Sequence, residues 1–170
     1  MQAPFLTRPD VAYQESFLAG LREFRASGSH LDWNYDGIAA DFGAYVQSLH
    51  ERETSPTDNR VPESYFWLIV DGEYAGRVSI RHRLNDYLRK HGGHMGYEIR
   101  PKFQGKGYGK LIGHMGAEKA REIGLQRILV TCDDDNIASA KIIESLGGVL
   151  EDKIWLEGHP KLIRRYWVDL

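Results

Sequence analysis

The sequence predicts an α/β (α+β) fold in a single domain spanning residues 1–170. Three observations predict it. Apolar residues recur at helical spacing in some segments and at strand spacing in others. The helical and strand segments are interleaved rather than segregated. In the second half a strand, a glycine-rich turn, a helix and another strand follow one another, which is the order of a crossover unit.

The elements follow in order. Asp10 can N-cap a first helix, on which Tyr13, Phe17, Leu18, Leu21 and Phe24 share a face. A loop over Ser27–Asp36 carries Trp33 and Tyr35. A second helix places Phe42, Tyr45, Val46 and Leu49 together, and the polar, proline-containing Glu51–Glu63 reads as a loop. Tyr65–Asp71 and Ala75–Arg83 form a hairpin about Asp71-Gly72. His94–Arg100 is a third strand, ended by Pro101.

A third helix runs from Tyr108 to Ile123 and stops at Gly124. Arg127–Cys132 is a short buried strand, and Asn136–Leu146 a short helix ended by Gly147-Gly148. Strands Val149–Leu156 and Lys161–Val168 close the chain. The expected architecture is a mixed central sheet of about six to seven strands flanked by about four helices.

Composition narrows the function classes. The chain has 18 glycines, nine of them between Gly92 and Gly124, so the excess is local. A formal charge of −2 offers no general attraction to nucleic acid or to an anionic membrane. The longest strongly apolar run, Tyr65–Val70, is far short of a membrane span. Met1–Asp10 shows no secretory signal pattern, and the lone Cys132 excludes a disulfide framework. A cytoplasmic location is the expectation.

Gln104-Gly105-Lys106-Gly107-Tyr108-Gly109-Lys110 joins a strand to a helix N-terminus. Glycines let the backbone approach a ligand, and the free N–H groups of a first helical turn attract an anion such as a pyrophosphate. A ligand-free βα turn is the plain alternative. A Walker A loop is excluded, because Leu111 follows Gly109-Lys110 where Ser or Thr is needed. The Rossmann glycine spacing fails as well.

Arg100 to Gly109 resembles the acetyl-CoA loop of the GNAT N-acetyltransferase superfamily. The family pattern Gln/Arg-x-x-Gly-x-Gly/Ala is met by Gln104, Gly107 and Gly109. Asn136-Ile137-Ala138-Ser139-Ala140-Lys141, followed by Glu144-Ser145-Leu146-Gly147, is similar to the family's Asn-led helix. The resemblance covers most of the chain and is nearest to a branch of predicted acetyltransferases of unassigned substrate. It implies an acetyl-CoA-dependent transfer to a primary amine, on a small molecule or a peptide or protein. It further implies that the third strand splays from its neighbour and that backbone around Ile99 pairs with the pantetheine arm. Gln104, Gly105, Lys106, Gly107, Tyr108 and Gly109 would cradle the phosphates. Asn136 and Ser139 would contact the pantetheine, although Asn136 also reads as a plain helix cap. A homodimer is a family-level expectation.

Amine acetylation needs a proton acceptor and a proton source for the leaving thiolate. Glu98 is the expected base, beside the thioester, with a salt-bridged strand carboxylate as the alternative. His91 and His94 are nearby and could titrate near neutrality. His91-Gly92-Gly93-His94 suggests a metal pair, but no third ligand stands at a telling spacing, so no metal is expected. Many members of the family carry a tyrosine seven residues after the Asn, and here that position is Ile143. Tyr166, Tyr108 or water would take its place. The thiolate could also leave unassisted, since a thiol pKa is about 8.5. Cys132 reads as a packed core residue.

The acceptor side would include Trp33, Tyr35, Arg83, Asn85, Asp86, Arg164 and Tyr166, each of which could equally be a loop anchor or a solvated strand residue. The alternatives to the main reading are a non-catalytic acyl-CoA-binding or regulatory module and a transferase using another acyl-CoA donor.

Overall fold

The run Tyr65–Val70 is apolar without alternation because both faces of its strand are covered. In the computed structural model, which describes residues 2–57 and 59–170, this run lies in β2 (Glu63–Val70). Tyr65, Trp67 and Ile69 point to one hydrophobic cluster, and Phe66, Leu68 and Val70 to another. The first cluster is capped by α1 (Gln14–Ala26) and α3 (Phe42–Thr54), through Phe17, Leu21, Phe24, Phe42, Val46 and Leu49. The second is capped by α5 (Tyr108–Glu122) and α6 (Ile137–Ser145), through Ile112, Ala120, Ala140 and Ile143.

The remaining elements are β1 (Phe5–Thr7), α2 (Tyr35–Ala40), β3 (Glu73–Arg81), α4 (Asp86–Lys90), β4 (Met95–Ile99), β5 (Arg127–Asp133), β6 (Val149–Ile154) and β7 (Ile163–Asp169). The seven strands among the described residues are divided between two antiparallel sheets, ordered β1-β2-β3-β4 and β5-β7-β6. The expected central sheet is therefore split between β4 and β5, where the resemblance implied a splay. The two strands are stitched at one place. His94 N–H donates to the Leu129 carbonyl at 2.7 Å, and Leu129 N–H donates to His94 Nδ1 at 2.9 Å.

The predicted elements recur with shifted ends. Asp10 caps a single 3-10 turn, accepting from Ala12 N–H at 2.8 Å, and the first helix proper starts at Gln14. Three short elements escape a reading by periodicity. These are β1, α2 inside the expected Ser27–Asp36 loop and beyond it, and α4 after the hairpin. None is long enough to show a repeat. Gly116 lets α5 lie close on the first sheet, since a Cβ there would stand 2.8 Å from Val78 Cγ2 and 2.9 Å from Met95 Sδ. No helix among the described residues is long and apolar enough to cross a membrane.

Candidate active site

The split sheet opens a cleft of about 520 Å³ beside β4. Antiparallel pairing decides what β4 shows to it. His94 O accepts from Arg81 N–H, and Arg100 N–H donates to Ala75 O, so even-numbered residues spend their backbone groups on β3. The odd-numbered Tyr97 and Ile99 then turn their N–H and C=O groups toward the gap. Gln104 Nε2 already donates to Ile99 O at 2.9 Å, which bends the following loop back over the cleft.

The loop is bolted to α1 from behind. Arg100, only 3% exposed, reaches Glu23 at 2.7 Å and the Tyr74 carbonyl at 3.1 Å. Gly105 and Gly107 adopt φ of +72° and +86°, a region that L side chains avoid, and a Cβ on either would meet nothing within 4 Å. The concavity is thus open as well as strained for other residues. Among the described residues no side chain caps α5 at Gly107, which leaves its first N–H groups to an anion.

Of the residues read from sequence, Glu98, Ile99, Gln104, Gly105, Gly109, Asn136 and Ser139 line the cleft together. Lys106, Gly107 and Tyr108 stand on the same loop. Lys106 Nζ donates to the Lys102 carbonyl, and Tyr108 packs edge-on against Phe103. Asn136 Oδ1 accepts from Ser139 N–H at 3.0 Å as the cap of α6, which leaves its amide N–H₂ to donate elsewhere.

Tyr166 is not brought to the cleft. Its side chain is buried in the core and its hydroxyl donates to Glu144 Oε1 at 3.1 Å. Ile143 is fully buried. The phenol that does line the cleft is Tyr97, which sequence reasoning passed over because only alternation along β4 shows where it points. Its hydroxyl is 2.9 Å from Ser139 Oγ, and burial pushes its pKa up to about 12. Burial likewise pushes the Cys132 thiol up to about 11.

Glu98 faces the other way from Tyr97, into an ion-paired cluster. Arg77 Nε lies 2.7 Å from Oε1, and His30 Nε2 lies 2.6 Å from Oε2. Burial acts to raise the Glu98 pKa, but Arg77 and His30 outweigh it and hold the carboxyl below its ordinary value. His30 comes from the loop between α1 and α2. It adopts φ +53°, packs at a tilt against Trp33 at 4.4 Å and meets Phe24 edge-on at 4.9 Å. A histidine held in the left-handed region carries backbone strain of the kind found at functional positions. No local motif in the sequence distinguishes it.

A polar groove of about 190 Å³ runs over β2, β3 and β4 and meets the cleft at Tyr97 and Glu98. Glu63, Arg77, Ser79 and Arg81 line it. Glu63 Oε1 is buried there without a hydrogen-bond partner among the described residues, although Arg81 Nε stands 3.3 Å away. Several residues expected on the acceptor side are engaged structurally. Trp33 packs under the Arg77 guanidinium at 4.5 Å, Asn85 caps α4, and Arg164 pairs with Asp134 at 2.6 Å.

His94 is a backbone clasp rather than a base near neutrality. Burial, with Arg89 and Arg81 nearby, lowers its pKa to about 4. Burial and His159 lower that of His91.

The acetyltransferase (GNAT) domain profile matches residues 23–149. No curated protein matches the sequence at a significant level. Solved structures share the fold at low identity. The microcin C7 self-immunity acetyltransferase MccE, in complex with acetyl-CoA and AMP, aligns with a TM-score of 0.67 at 17% identity, over 98% of this chain and 92% of that one. RimL, a ribosomal L7/L12 alpha-N-protein acetyltransferase in complex with coenzyme A, aligns with a TM-score of 0.71 at 17% identity, over 100% and 96%. Mycobacterium smegmatis RimJ, in complex with CoA-disulfide, aligns with a TM-score of 0.70 at 17% identity, over 98% and 81%. With the profile spanning most of the chain and the split-sheet fold beneath it, this protein belongs to the GNAT acetyltransferase family.

Proposed function

We propose that residues 1–170 act as one acetyltransferase domain that moves an acetyl group from acetyl-CoA to a primary amine by direct attack. The observation that carries this reading is the meeting of two cavities at Tyr97 and Glu98. One is the open cleft between β4, the glycine loop and α6, and the other is polar and lined by charged groups.

When bound, acetyl-CoA supplies the thioester to be attacked. The N–H groups at the start of α5 and the open backbone at Gly105 and Gly107 receive its phosphates. The gap-facing backbone of Tyr97 and Ile99 orients the arm, and one of these N–H groups polarises the thioester carbonyl. The Asn136 amide donates to the arm.

The groove admits the amine. Glu63 Oε1 offers a buried acceptor to a donor on the incoming molecule, which favours a polar or cationic substrate over an apolar one. Glu98 draws the amine to the junction. Glu98, held ionised by Arg77, fixes His30 through its Nε2, and a proton lost from the amine is taken up by this pair at His30 Nδ1, which has no hydrogen-bond partner among the described residues. Tyr97, paired with Ser139, is the nearest phenol for protonating the thiolate. It takes the part expected of Tyr166.

The test is calorimetric binding of acetyl-CoA, followed by release of free CoA thiol with a panel of primary amines. Gly107→Glu places a strained, negative side chain in the cradle and is expected to abolish acetyl-CoA binding. Normal binding by that variant would remove the loop assignment. Acetyl-CoA binding without turnover on any amine would favour the regulatory module, and faster turnover with succinyl-CoA would reassign the donor.

A further inference from the structure

We infer that His91, Asp133 and His159 form a site for a divalent transition-metal ion, with zinc the best match to the donors. One nitrogen from each imidazole and one carboxylate oxygen all lie within 4.8 Å of one another. The inference is independent of the acetyl-transfer reading and departs from the expectation of no metal.

The three residues come from three separate segments. His91 follows α4 on the way to β4, Asp133 ends β5, and His159 lies between β6 and β7. Each is half-buried. His159 Nε2 is already 2.9 Å from Asp133 Oδ1, and the two imidazole rings stand 4.9 Å apart. The Tyr87 hydroxyl, 3.2 Å from His91 Nδ1, orients that ring in the manner of an outer partner of a ligand histidine.

Hydrogen bonds from neighbouring residues hold the segments in place without a metal. Gly92 N–H donates to Thr131 Oγ1 at 2.8 Å, Arg165 Nη1 to the Arg89 carbonyl at 2.9 Å, and Asp134 N–H to the Leu162 carbonyl at 2.8 Å. The site is therefore nearly preformed. Tetrahedral zinc, with bonds of about 2.0–2.2 Å, needs donors about 3.3–3.6 Å apart. The widest separation must shrink by little more than 1 Å, within reach of a side-chain rotation.

Donor chemistry selects the ion class. Two imidazoles and one carboxylate suit zinc, nickel, cobalt or copper, whereas calcium and magnesium prefer oxygen donors throughout. Three protein donors leave one tetrahedral position for water. Lys161 is the competing cation, with Nζ 3.8 Å from Asp133 Oδ2. It is closer to Asp135, at 2.8 Å, and its half-exposed chain can remain there when Asp133 turns to a metal. An ion bound here ties the segment preceding β4 to the end of β5 and to the β6–β7 loop.

The experiment uses the full chain, free of any histidine tag and stripped with a chelator, titrated with zinc chloride in a calorimeter. Cobalt(II) absorption reports coordination geometry in parallel. Saturable binding of one zinc per chain is expected, with a tetrahedral cobalt spectrum. His91→Ala and His159→Gln should each weaken zinc binding at least about tenfold, since even outer-partner losses cost about 10–100-fold. His114→Ala, on exposed α5 surface, should leave it unchanged. Circular dichroism confirms folding, and Asp133→Asn serves if one histidine variant does not fold. Equal zinc affinity in wild type and His91→Ala/His159→Gln, or only weak non-saturable uptake, would overturn the site.

Discussion

Gly76 controls the position of the cleft wall from the neighbouring strand. It sits on β3 opposite Ile99. A Cβ there would lie 2.4 Å from the Glu98 carbonyl oxygen, 3.0 Å from Ile99 Cδ1 and 3.2 Å from Ile99 Cα. Two of these three atoms are backbone, so no rotamer change relieves the contact. Bringing the shortest one to 3.0 Å moves β4 by at least about 0.6 Å, and it moves the two residues that line the cleft. Overpacking of this kind costs about 1–3 kcal/mol. A misplacement of about 1 Å in a reacting group costs about 10²-fold, so a shift of half that size or more should weaken acetyl-CoA affinity or turnover about tenfold. Gly76→Ala is therefore expected to lower stability in urea unfolding by about 1–3 kcal/mol and acetyl-CoA affinity by about tenfold. Gly43→Ala is the control, since its Cβ would meet only Asp41 Oδ1, at 3.6 Å, and helix propensity favours alanine. Stability of Gly76→Ala within about 0.5 kcal/mol of wild type, with unchanged affinity, would refute the β3–β4 register and the wall built on it.

Three further outcomes follow from the site. Arg77 and His30 hold the Glu98 pKa below its ordinary value, so Glu98 contributes stability above the unfolded carboxylate range and loses it as pH falls through the lower folded value. Acid unfolding of Glu98→Gln should accordingly show a shallower loss of stability below about pH 4.3, and a limb as steep as wild type would contradict the pairing. Tyr97→Phe should lower kcat by about 10²-fold or more while leaving acetyl-CoA affinity nearly intact, and an unchanged kcat would remove Tyr97 as proton donor. Cys132 is buried with a pKa of about 11, so a charged thiol reagent should leave the folded chain unmodified at neutral pH and label it in urea. Rapid labelling of the native protein would reopen a covalent route.

Helices and strands of ordinary length were legible because their signals are local. Period 3.6 marks Phe17, Leu21 and Phe24, and period 2 marks Val78 and Ile80, whatever the rest of the chain does. The glycine loop ahead of α5 was legible for the same reason. Gly105 and Gly107 are next to the helix they open, and Asn136 caps the helix it begins. The chain's order of residues therefore determined the longer helices and strands and the glycine turn between β4 and α5.

Tertiary packing alone decided the rest. Whether β4 and β5 join or part depends on the packing of the elements around them, and Tyr97 on β4 reaches Ser139 on α6 across the cleft that their parting leaves. His30 reaches Glu98 only because α1 and its loop fold over β4, and no pattern within either segment encodes that meeting. The same holds for Tyr166, which β7 carries into the core beside Glu144. His91, Asp133 and His159 converge from three separate segments with no repeat in their spacing. Local periodicity follows from backbone geometry, whereas side chains far apart in sequence are brought together by burial of the surfaces between them, which depends on the whole chain at once.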